Sequence, residues 1–189
     1  MKNLNFQMYL SLIILLISLG CAPVKNSNII LKNGTRLDSI RGTMSNGKFE
    51  YRSNDGRIRN ILYDSIDFIE RRDPYDNELI LYRTVQQEGS EDIILLRVLV
   101  LGKNIELYAS ETPTGGQFGG SYYSYWARKD KSKKLKYFGH YGAMNNIADK
   151  LKEYFSECYS LSKKIEYKEY RFRSDIIEMF EDYENNCGK

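Results

Sequence analysis

The chain has 189 residues, 28 Lys and Arg against 25 Asp and Glu, one His and a formal net charge of +3. That balance is too even to argue for a polyanionic partner, and one imidazole is too few for a zinc centre, so neither nucleic-acid binding nor a metal or other cofactor is expected. Sixteen tyrosines and plentiful charge of both signs exclude a disordered chain and point to a folded body with a real core.

The first element is an address. Lys2 precedes an apolar run from Met8 to Leu19, interrupted by Ser11 and Ser18. Its length of about 12 residues falls short of the roughly 20 that span a bilayer and matches the apolar region of a secretory signal. Gly20 then stands directly before Cys21. The arrangement resembles the lipobox of bacterial lipoproteins, where the chain is cut before an acylated cysteine. The thiol accepts the lipid, and a small residue before it admits the peptidase. Ser18 occupies the position where such boxes usually carry Leu, Val or Ile. The resemblance implies a signal peptide over 1–20, a lipid such as palmitate on Cys21 and a polar tether over 21–28. It also implies a lipid-anchored place in the bacterial envelope, on the outer membrane, with the leaflet open. Ordinary secretory cleavage nearby is the alternative.

Residues 29–143 read as antiparallel β-structure. A small β module over 29–72 carries turn signals at Asn33-Gly34, Asn46-Gly47 and Asp55-Gly56. Four or five short strands fit between them and are expected to curl into a small sheet or barrel. Asp73-Pro74-Tyr75-Asp76 interrupts the pattern. A β-meander over 79–139 follows, with strands at 79–86, 93–101, 105–110, 122–128 and 135–138 and a hairpin turn at Gly102-Lys103-Asn104. "DIILLRVLVLG" is almost continuously apolar, so it is expected to be a central strand covered on both faces, which requires helices packed on the sheet. The basic cluster from Arg128 to Lys134 reads as a solvated hairpin turn.

Residues 144–189 change period. Ile147, Leu151, Tyr154, Phe155 and Cys158 recur at helical spacing, and Leu161 and Ile165 continue the stripe after a break near Ser160. Ser174 is expected to cap a last helix, with Asp175 at its positive end and Ile176, Ile177, Phe180, Tyr183 and Cys187 on the buried face. Cys158 and Cys187 both fall on apolar faces, and an exported chain meets oxidising conditions, so a disulfide between them is expected. Closing about 30 residues, it would stabilise by roughly 3 kcal/mol in the loop-entropy description. Two free buried thiols are the alternative. The fold class expected is therefore α+β: antiparallel sheet or small-barrel modules followed by a C-terminal helical segment.

Several stretches together, "LKNGT", "ILYDSIDFIE", "LYR" with "ILLRVLVLGKNIELY", "YFSECYSLSKKI" and "DIIEMFEDYENNC", resemble a broad group of exported proteins and lipoproteins of the Bacteroidota type. The resemblance covers most of the chain beyond the leader. It implies the same architecture and export, and no activity. "DSI" also occurs twice and is similar to the Asp-Ser/Thr-apolar acceptor of O-linked glycans on exported proteins of those bacteria. That implies candidate glycosylation at Ser39 and Ser65, although Asp-Ser also suits a turn.

No catalytic set assembles in the sequence. His140 has no Gly-x-Ser-x-Gly elbow to serve, and reads as a turn residue in "FGHYG". The glycine-rich "TPTGGQFGGSYYSYW" lacks the Gly-Lys-Ser/Thr of a phosphate loop. Its aromatics, Tyr122, Tyr123, Tyr125 and Trp126, form a candidate contact surface for a sugar or peptide, or they pack alternately into the core. The function expected is a non-enzymatic envelope module that binds an envelope protein or glycan. The alternatives are a hydrolase built from the 113–126 region and His140, and an accessory subunit of an envelope complex.

Overall fold

The computed structural model describes residues 25–73, 76–114, 120–131, 134–140, 147–172 and 174–188. The leader, Cys21 and the start of the tether lie outside them. Ten strands are formed: β1 (Lys25–Leu31), β2 (Arg36–Ser45), β3 (Lys48–Arg52), β4 (Ile58–Leu62), β5 (Ile66–Arg72), β6 (Leu79–Gln86), β7 (Ile93–Leu101), β8 (Glu106–Thr114), β9 (Gly120–Arg128) and β10 (Lys136–His140). They make one sheet in the order β10-β9-β8-β7-β6-β5-β1-β2-β3-β4 with every ladder antiparallel. Helices α1 (Ile147–Tyr154), α2 (Tyr159–Glu166) and α3 (Ile176–Asn186) follow.

The antiparallel sheet and the C-terminal helices are as expected, but the sheet stays open where a small barrel was expected. β4 and β10 are its two ends and do not pair with each other. β5 returns past β2–β4 to pair with β1 and then takes β6 on its other side, so the early hairpins and the later meander share one sheet. At the far end a single parallel bridge, Gln87 to Leu135, draws the end of β6 towards the start of β10.

Local chemistry explains the early hairpins. Gly34, Gly47 and Gly56 take φ of 84°, 72° and 79°, the left-handed region that costs glycine nothing and side chains dearly. Beside Gly56, Asp55 accepts hydrogen bonds from Ser53 Oγ, from Arg57 N at 3.1 Å and from Arg59 at 3.1 Å. Led by Ser53, these bonds hold its carboxyl at about 2.

Cross-strand register sorts the side chains onto two faces. Ile29, Ile69, Tyr82, Arg97, Ala109 and Tyr125 are successive partners on one face. Phe68, Arg83 and Leu96 line up on the other, as do Val98, Tyr108 and Trp126. The first face carries a core of Ile29, Phe49, Tyr63, Ile66 and Ile69 over β1–β5, and the helices over β7–β10. The second face carries Val85, Leu96, Tyr108, Trp126 and Leu135. β7 is central as expected, yet only Leu96 and Val100 within it are buried and most of the strand is half-covered.

The helical end departs from expectation in three places. The first break falls at 155–158, a turn before Ser160, although Phe155 and Cys158 stay buried. Ser174 does not cap α3: its hydroxyl donates back to Arg171 O, and the Asp175 carboxylate accepts from Arg171 N at 2.8 Å. Met179, not Ile177, completes the buried face, with Ile177 39% exposed. Cys158 and Cys187 are joined, with Cα atoms 5.7 Å apart.

Two devices fix this end to the sheet. Glu184 on α3 accepts from the backbone N–H groups of Lys103, Asn104 and Ile105 in the β7–β8 turn, at 2.8 to 3.3 Å. A Cβ on Gly102 would sit 2.5 Å from that carboxylate, so the turn needs glycine for close approach. Lys129, after β9, lies 4.3 Å from the Tyr154 ring centroid and bonds Glu157 and the Tyr154 carbonyl. Burial raises the cost of charge on Glu157, but hydrogen bonds from Lys129 and Tyr183 outweigh it and lower its pKa.

Candidate functional site

β6, β7, β8 and β9 together form the floor of a cavity of about 340 Å³ on the first face, beyond the edge of the helices. Ile80, Leu95 and Ala109 supply an apolar base, with Tyr82, Arg97, Glu111, Tyr123 and Asp73 around it. Strand alternation puts these strand residues on one side: 80 and 82, 95 and 97, 109 and 111 each lie two apart, and Glu111 is the direct partner of Tyr123. The volume is within the range of small-molecule sites, which combine apolar walls with a few placed polar groups.

Arg97 is the chemical centre. It interrupts an otherwise apolar strand and sits half-buried between Tyr82 and Ala109. Its ion pair to Glu78 is long, at 3.7 Å, which leaves most of a guanidinium's five donors for other work. Burial pushes the Tyr82 phenol upward, opposed by Arg71 and Arg97 and aided by Glu111 and Asp73. Tyr82 therefore stays a neutral hydroxyl, able to donate and accept. Glu111 is bonded to Ser121 across the β8–β9 ladder. A cation, two acids and two phenols around an apolar base suit a polyhydroxylated or carboxylated ligand.

A larger, wide-open cleft of about 950 Å³ lies between α1, α2 and the loop before α3. Within its lining Lys152 pairs with Glu166 at 3.5 Å, and the Tyr170 hydroxyl donates to Asp182 beside it at 2.6 Å. The sheet cavity is the better candidate because it is more enclosed and its cation, Arg97, is half-buried on a central strand with phenols on either side.

Compared with known protein families, curated proteins and solved structures, the chain matches none.

Of the two readings of the four aromatics, packing into the core holds for Tyr125 and Trp126, and the four do not share one surface. Tyr125 is buried under the helices and Trp126 in the core of the opposite face, where its indole N–H donates to Gln87 at 3.3 Å. Tyr122 lies on the Trp126 side, its ring 4.8 Å from that of His140. Only Tyr123 reaches the cavity. His140 pairs with Ser124 on the face away from it, and residues 115–119 of the glycine stretch lie outside the described residues. Ser39 and Ser65 are both exposed. Ser39 takes φ 55° where the β1–β2 register shifts, and its N–H donates to Asn28 Oδ1 at 3.0 Å. Ser65 ends a short 3-10 turn before β5. Among the described residues no cluster of His, Cys, Asp and Glu is placed to hold a metal, and no helix is long and apolar enough to cross a membrane.

Tyr82, Arg97, Glu111 and Asp73 escaped the sequence reading. Arg97 alone carried a signal, as a charge inside an apolar strand. A second buried charge was equally invisible. Glu106, 1% exposed, bonds Arg83 at 3.0 Å, Arg128 at 2.5 Å and the Tyr108 hydroxyl at 2.7 Å. Burial and then Glu106 push the Tyr108 phenol to about 12. This cluster satisfies itself and reads as structural.

Proposed function

We propose that the chain is an exported lipoprotein of the Bacteroidota type, anchored to the outer membrane through lipid on Cys21. It acts as a binding module for an envelope glycan. The leader layout and Gly20-Cys21 support the address. A cystine between Cys158 and Cys187 fits an oxidising compartment. The binding reading rests on one observation above the rest: the sheet-face cavity holds Arg97, loosely paired, between the phenols of Tyr82 and Tyr123. Such a set offers donors to sugar hydroxyls or a uronic carboxylate, with aromatic faces for the ring.

Two measurements test this. Cells fed a labelled fatty acid should incorporate label into the wild type and none into Cys21→Ala. Purified protein should bind immobilised envelope oligosaccharides, with affinity falling at least about tenfold in Arg97→Ala, the loss of a hydrogen bond to a charged group. Tyr159→Ala, an exposed change on α2, should leave binding intact. Equal retention by wild type and Arg97→Ala would remove the site.

A further inference from the structure

The two ends of the sheet are unlike. β10 is protected: its register shifts at Phe138, the Phe138 carbonyl accepts from Lys150 on α1 at 3.0 Å, and Leu135 just before it bonds Gln86 and Glu88. Bulges, lysines and covering elements are how sheet edges avoid pairing. β4 has no bulge in its pairing with β3, its one charge, Arg59, is tied to Asp55, and no described residue covers or pairs along its outer side.

The ladder shows which groups that edge presents. Ser53 N donates to Arg57 O and Tyr63 N to Gly47 O, both at 2.9 Å. Antiparallel pairs alternate, so residues 57, 59, 61 and 63 bond inward to β3. Ile58, Asn60 and Leu62 therefore turn their N–H and C=O groups outward. Ile58 and Leu62 are also among the most exposed large apolar side chains, at 62% and 56%. Both lie on the face opposite Ile61, which packs on the first core.

We infer that β4 is a dimerisation edge whose partner is β4 of a second copy of this chain, antiparallel about a two-fold axis at Asn60. The strand is its own complement in that register. Ile58 meets Leu62 of the partner subunit and Leu62 meets Ile58 of the partner subunit, so all four exposed apolar side chains pair across the joint. Asn60 faces its own copy, which completes two backbone bonds there, and 58 opposite 62 completes the rest. Charge does not oppose the register: Arg59 faces Ile61 of the partner subunit and is already neutralised by Asp55 at 3.1 Å. Lys48 and Arg52 on β3, the in-chain partners of Leu62 and Ile58, can lay their aliphatic stems beside the apolar pairs. Head-to-tail pairing of β4 with β10 is disfavoured by the protection of β10, so the assembly closes at two copies.

Sedimentation equilibrium of the full chain tests this. The wild type should form dimers, with no larger species, below about 1 mM. Asn60→Pro deletes an outward N–H and no β3–β4 bond, and Leu62→Lys places charge against Ile58 of the partner subunit. Each should weaken association at least tenfold while the circular dichroism spectrum stays unchanged. Tyr137→Lys on β10 should leave the dimer intact. Asn60→Cys should give a disulfide-linked dimer absent from the wild type, because residues facing each other on the axis come within about 5.5 Å. A monomeric wild type, a dimer indifferent to Asn60→Pro and Leu62→Lys, or one broken by Tyr137→Lys would overturn the inference.

Discussion

β1–β5 bury Ile29, Phe49, Ile66 and Ile69 with none of the described α-helices over them, whereas β7–β10 lie beneath three helices closed by a cystine. The first region is held by tight glycine turns and one small cluster. The second combines an aromatic stack, a buried charge cluster, a carboxylate-capped turn and a covalent link. The difference shows how one sheet can be stiff at one end and adaptable at the other, with the candidate cavity at the boundary. A rigid frame on one side of a site helps to preorganise it, and the less covered side leaves an edge open for association.

Removing the middle of the helical stack should show the contrast most strongly. Phe155 and Phe180 are fully buried, with ring centroids 5.1 Å apart. Phe180→Ala should cost about 3–5 kcal/mol in denaturant unfolding. Glu106→Ala should cost nearly as much, about 3–5 kcal/mol, since it removes the buried carboxylate that Arg83, Arg128 and the Tyr108 hydroxyl all bond. Cys158→Ser with Cys187→Ser should cost roughly 3 kcal/mol by freeing the loop between them. All three losses should lower protection from hydrogen exchange in β7–β9 and the helices before they reach β3 and β4.

Alkaline titration probes the helix-covered region by another route. Tyr108 and Tyr183 have phenols raised to about 12, chiefly by burial and then by Glu106 and Glu157 respectively. A raised acid binds its proton more tightly when folded, so stability is intact below the ordinary value of 10 and falls as pH rises from there towards 12. The fall should approach about 1.4 kcal/mol per pH unit for each such tyrosine, and circular dichroism melts should show it. In the variants Tyr108→Phe and Tyr183→Phe the slope should flatten. The smallest effect belongs to the other region: Gly47→Ala, at φ 72° with open space around it, should cost about 1 kcal/mol through backbone strain alone.

Local chemistry made much of this molecule legible. Asn33-Gly34, Asn46-Gly47 and Asp55-Gly56 announce hairpins because few residues tolerate positive φ. The stripe from Ile147 to Ile165 announces helices, and its two-part form was visible within a turn. The Cys158–Cys187 pair followed from helical phase. What stayed hidden depends on pairing across the chain. Nothing near Glu106 says that Arg83 and Arg128 will flank it, and although alternation turns Tyr122 and Tyr123 of "SYYSYW" to opposite faces, nothing there says which face the helices will cover. Nor does the turn chemistry of β1–β5 say whether the curl will close into a barrel, because β5 had both β1 and β6 to pair with. Ser174 misled because a Ser-Asp pair offers two ways to bond the preceding turn, and Asp175 took the backbone N–H of Arg171.

Nuclear magnetic resonance mapping during titration with envelope oligosaccharides probes the recognition site most directly. Amide shifts should cluster at residues 80–82, 95–97, 109–111 and 123, and should vanish in Arg97→Ala. Shifts centred instead on Lys152, Glu166 and Tyr170, or none at saturating sugar, would contradict the assignment of ligand binding to the sheet-face cavity.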